Sequence, residues 1–173
     1  MIAGLFDEFF GVPTHPLAVH APVVLVPIFA VVAVMLAVKS DWRVRVGWFM
    51  PVAVFVLVAM LFVAKESGES LLVSEAENLF LLGSPQQIAD HEDLANATFV
   101  LAIVWFVLTL AVVTRDWMSG RDQSVRPHSA DTAAMSHDAV ATVLSVLAAI
   151  AAVITTIWLI RTGHAGAESR WAG

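Results

Sequence analysis

The sequence predicts an all-α integral membrane protein, a four-helix bundle with an additional amphipathic helix lying in the interface between spans two and three. Three observations predict it. The 173 residues are 59% hydrophobic and only 14% charged, against roughly 25% charged in soluble domains, and the mean hydropathy is +0.82. Four stretches, about 17–38, 46–64, 95–114 and 139–160, each supply the roughly 20 apolar residues a hydrocarbon core demands. The basic residues also segregate: Lys39, Arg43 and Arg45 fall between spans one and two, and Arg115, Arg121 and Arg126 between spans three and four. Lys and Arg collect on the cytoplasmic side, so both termini are expected outside the cytoplasm, and the whole chain, 1–173, reads as one transmembrane domain.

Span one opens with THPLAVH. Pro16 suits a first helical turn, where its missing N–H removes no bond, and His15 or Thr14 then acts as cap. The leader MIAGLFDEFF carries acid where a secretory signal carries Lys or Arg, so span one is expected to be retained. Pro22 and Pro27 free the carbonyls of Ala18 and Val23 and are expected to bend the helix. After span two, Leu71, Leu72, Ala76, Leu79 and Phe80 recur among acids, the pattern of a helix lying in the interface over about 69–82, with Gly83 as its stop.

SPQQ, residues 84–87, is a capping box with proline at the first helical position, so helix three should begin ahead of the membrane. His91 then shares a stripe with Leu94, Ala95, Thr98 and Ala102. The polar run 120–137 reads as a loop, with Ser136 capping helix four. In span four, Ala141, Ser145, Ala149, Ala152 and Thr155 form a small-residue stripe of the kind that lets helices approach closely in lipid. Trp42, Trp48, Trp117 and Trp171 fall at span ends as an interfacial belt. Beyond a loose likeness between the two hairpins, the sequence shows no internal repeat.

This topology sends His15, His20, His91 and His164 to the outer end of the bundle, and His128 and His137 to the cytoplasmic end. A lone histidine at a membrane boundary is ordinarily a cap or an interfacial residue; four at one depth are a candidate ligand set. The chain has no cysteine, which excludes thiolate metal sites, disulfides and covalently attached haem. Haem b can take an imidazole from each of two facing helices. Because five helical residues separate His15 and His20 by about 140° around the axis, a ligand pair more naturally joins His20 with His91 or His164. Lys65, Arg161 and Arg170 are placed to meet propionates.

The alternative is a copper or zinc site at His20, His91 and His164, with Glu66, Glu69 or Asp90 assisting. A third reading has no cofactor and makes the chain a structural subunit of a larger respiratory complex. An extracytoplasmic electron carrier is the partner implied by the first reading, and a homo-oligomer is compatible with all three. The net charge of −6, with no basic block, argues against nucleic acid. No nucleophile motif and no mid-span ionisable residue points to a hydrolase or an ion pathway.

In HPLAVH (15–20), SGESL (67–71), a histidine before span three and GHAGA (163–167), the chain resembles a family of small bacterial four-span membrane proteins catalogued as a domain of unknown function. The resemblance covers essentially the whole chain. It implies a bacterial plasma-membrane location and marks His15, His20, His91 and His164 as the matching histidines. Fusion of some relatives to Rieske-type or other electron-carrier domains implies redox work, although the resemblance brings no established activity with it.

Overall fold

The computed structural model describes residues 8–9, 12–74, 84–125 and 139–171. Two two-residue strands, β1 (Glu8–Phe9) and β2 (Val12–Pro13), pair antiparallel ahead of the first helix. Among the described residues five helices follow: α1 (Thr14–Val38), the short α2 (Ser40–Val46), α3 (Phe49–Ser74), α4 (Pro85–Val125) and α5 (Ala139–Trp171). Among the described residues α1, α3, α4 and α5 are long and apolar enough to cross a membrane.

The four long helices form a square in which α1 packs on α3, α3 on α4, α4 on α5, and α5 back on α1. Helices α1 and α4 therefore face each other across one diagonal, and α3 and α5 across the other. The chain runs up and down, so the starts of α1 and α4 share one end of the bundle with the ends of α3 and α5.

Small side chains hold the helices close. Ala30, Ala33, Ala102, Ala148 and Ala152 are buried, interleaved with Val26, Val54, Leu57 and a wholly buried Trp105. The expected stripe on α5 is at this contact: Ala141, Ser145, Ala149, Ala152 and Thr155 are all buried. So are Thr98 and Ala102, on the stripe expected below His91. Hydroxyls inside the bundle answer to their own helices, Thr109 donating to the Trp105 carbonyl (2.8 Å), Ser145 to Ala141 (2.6 Å) and Thr155 to Ala151 (2.7 Å). That matters where no water is available to satisfy them. The outward surface is the converse, with Val24, Ile28, Val31, Phe55, Val107, Val143 and Ile160 exposed as lipid requires.

Several boundaries differ from the sequence expectation. Helix α3 runs unbroken to Ser74, so residues 69–74 continue span two rather than opening a separate interfacial helix; Gly68 is tolerated because a single glycine does not stop a helix already propagating. Residues 75–82 of that expected helix, and Gly83, lie outside the described residues, as do Ser136, His128 and His137. Helix α4 extends to Val125, through 120–125 where a loop was expected. Gly120 alone does not end it, since a single helical glycine costs only about 1 kcal/mol relative to alanine. The SPQQ box forms as expected: the Ser84 backbone N–H donates to Gln87 Oε1 at 2.9 Å and the Gln87 N–H donates to Ser84 Oγ at 3.3 Å. Trp42, Trp48 and Trp117 are exposed near helix ends, in keeping with a belt.

At the end opposite the histidines, α2 ties the first hairpin to α4. Arg43 on α2 pairs with Asp116 on α4 at 3.4 Å, and Lys39 lies over the Trp42 ring at 4.5 Å.

Candidate functional site

His15 is the second residue of α1 and His91 lies in the second turn of α4, so two diagonal helices present an imidazole at the same end of the bundle. Both side chains are half-buried. Their ring centroids are 6.4 Å apart and the ring planes are perpendicular, at 89°.

Each ring is fixed by a neighbouring helix. His15 Nδ1 lies 2.9 Å from the Ala64 carbonyl on α3 and 3.3 Å from Ser67 Oγ. His91 Nδ1 lies 2.9 Å from the Thr162 carbonyl on α5. A carbonyl only accepts, so Nδ1–H is the donor in both rings and the neutral tautomer leaves Nε2 as the basic nitrogen. Ser67, wholly buried, donates to the same Ala64 carbonyl at 2.9 Å. Thr162 Oγ1 meets Thr98 Oγ1 at 3.0 Å across the α4–α5 contact.

A glycine stands one turn beyond each accepting carbonyl. A Cβ at Gly68 would lie 3.2 Å from His15 Cε1 and Nδ1, and a Cβ at Gly166 would lie 2.9 Å from His91 Cε1. A helical glycine costs about 1 kcal/mol relative to alanine, and here the missing methyl is what admits the ring.

The other sequence candidates make contacts of their own. His20 is exposed and bonds through Nδ1 to the Pro16 carbonyl of its own helix. His164 is 73% exposed at its side chain and faces Glu168 at 3.1 Å. Lys65 is engaged with Glu69 one turn along α3, and Arg161 lies over the Trp158 ring at 5.2 Å. Among the described residues, no group of three or more His, Asp or Glu is arranged to hold a metal ion. Sequence reasoning did not assign the Ala64 and Thr162 carbonyls, Ser67, or the two glycines. A signal was present, since Gly68 and Gly166 stand at corresponding places near the ends of the second helix of each hairpin.

A pair of neutral imidazoles, each anchored through Nδ1–H to a backbone carbonyl, is the usual dress of a metal-ligating histidine, because the second bond fixes the tautomer and raises the basicity of the ligating nitrogen. A family model described as “Predicted membrane protein (DUF2231)” matches residues 11–173. Comparison with curated proteins and with solved structures gives no match.

Proposed function

The chain belongs to the DUF2231 family of predicted membrane proteins, and from that premise we propose that it is a b-type cytochrome-like electron-transfer protein, holding haem b between His15 and His91 at the extracytoplasmic end of the bundle. The observation that carries this reading is the pair of diagonal imidazoles, 6.4 Å apart, each tied back through Nδ1. If haem were bound here, His15 and His91 would be the residues to hold it, each through the Nε2 that its Nδ1–H bond leaves free.

The number of donors favours haem over a bare ion. Zinc sites use three or four protein ligands, whereas a haem iron asks the protein for only two when the macrocycle supplies the rest. In this arrangement His15 and His91 bind, the Ala64 and Thr162 carbonyls orient the rings, and Ser67 and Thr98 hold those carbonyl-bearing turns in place. Haem so held supplies one-electron chemistry, which fits exchange with an extracytoplasmic electron carrier. His20 and His164 are outside the ligand pair.

The test is a reduced-minus-oxidised absorption spectrum of the purified chain, expressed with haem supplied, together with metal analysis. A low-spin haem b spectrum lost in His15→Ala and in His91→Ala, and retained in His20→Ala and His164→Ala, is expected. Stoichiometric copper or zinc without porphyrin replaces haem by a metal ion at the same pair. A preparation free of both, co-purifying with a respiratory complex under mild detergent, overturns the cofactor reading in favour of a structural subunit.

A further inference from the structure

Burial repeats between the two hairpins where residue identity does not. On α3 and α5 the buried positions Val54, Leu57 and Leu61 correspond to Ala152, Thr155 and Leu159 at one constant separation along the chain. Ala64 and Thr162, which supply the accepting carbonyls, keep that same separation, and so do Gly68 and Gly166. On α1 and α4 a second constant separation relates Val26, Ala33 and Leu36 to Ala102, Thr109 and Val112, all buried, and it also relates His15 to His91. Each hairpin thus carries the same device: a histidine near the start of its first long helix, a carbonyl on its second, and a glycine one turn later.

We propose that the two hairpins are equivalent half-sites about a pseudo-two-fold axis between His15 and His91, and that Gly68 and Gly166 are the positioning residues of those half-sites. As to its ligand the proposal rests on the two-imidazole reading above; as to the placement of the rings it stands on the geometry alone. Each ring is pinned by a bond from Nδ1 to a carbonyl, so it cannot retreat from a methyl group without breaking that bond. At Gly166 an added Cβ meets Cε1 at 2.9 Å, closer than carbon atoms tolerate, and at Gly68 it meets the ring at 3.2 Å, where a few tenths of an ångström suffice. Gly163, on the same helix as Gly166, has nothing within 4 Å of an added Cβ and is the internal control. A ligand bridging the two imidazoles would sit on the axis and draw on both halves alike.

The experiment is a double-mutant cycle on the full chain in detergent, read by thermal unfolding and by the 15N-histidine spectrum of the same samples. Gly166→Ala should lower the midpoint and displace the hydrogen-bonded Nδ1–H signal of His91 while leaving that of His15. In the His91→Ala background Gly166→Ala should lower the midpoint no further. Gly68→Ala should act the same way on His15 with a smaller shift, silenced by His15→Ala, and this arm decides the matter if Gly166→Ala does not fold. Gly163→Ala should move neither signal. A loss of stability from Gly166→Ala that persists without the imidazole, or unmoved histidine signals in both glycine variants, overturns the proposal. Because none of these readouts needs haem, a chain that binds no haem yet completes the cycle rejects only the ligand reading.

Discussion

What an imidazole's second nitrogen bonds to fixes its tautomer and the orientation of its ring. His15 and His91 each commit Nδ1–H to a carbonyl on another helix, whereas His20 turns to its own helix and His164 to an exposed glutamate. The sequence order already placed all four at one depth, because an up-and-down bundle fixes which end each residue occupies. It did not fix their angle around the helix: α1 is apolar on nearly every side, so hydropathy carries no phase, and the choice between His15 and His20 depended on which face meets α3. The glycines one turn past the accepting carbonyls hold that missing phase. The buried hydroxyl pair of Thr98 and Thr162 supports the same turn, and a Thr98→Val, Thr162→Val cycle should return a coupling of about 0.6 kcal/mol, the average for polar pairs between membrane helices, measured by unfolding in detergent.

Helix starts and stops follow local chemistry rather than hydropathy. The apolar stretch of span three begins near Ala95, yet α4 begins at Pro85, because Ser84 and Gln87 close the box that satisfies two free N–H groups. Replacing Ser84 by Ala should cost about 1 kcal/mol at this terminus, seen as faster amide exchange at Gln87 and Ile88 with the centre of the helix unchanged. The extension raises His91 clear of the apolar stretch while keeping it in the bundle. Capping residues made this start legible in advance. The far end of the same helix was not, since 120–125 is polar without being helix-breaking, and polarity alone reports contact with water rather than loss of helical geometry.

The bundle as a whole puts the histidine pair at one end and the Arg43–Asp116 pair at the other, and the basic connections argue that the latter is cytoplasmic. The lack of cysteine makes this simple to check. A single cysteine at exposed Gln86 should react with a membrane-impermeant maleimide in intact cells, and one at exposed Asp41 only after lysis; the reverse pattern would invert the orientation. Four spans and their order were legible because each is a long apolar stretch between charged connections; the square arrangement that sets α1 opposite α4 was not, since it depends on small-residue contacts spread over all four helices.

Trp105 lies wholly buried in that square, and its Nε1 has no hydrogen-bond partner among the described residues, whereas Trp42, Trp48 and Trp117 are exposed. An indole so shielded emits at short wavelength, and its light overlaps the absorption of any porphyrin nearby. The molecule therefore carries its own optical probe: if the proposed haem binds, quenching of that blue component would time its uptake without a label.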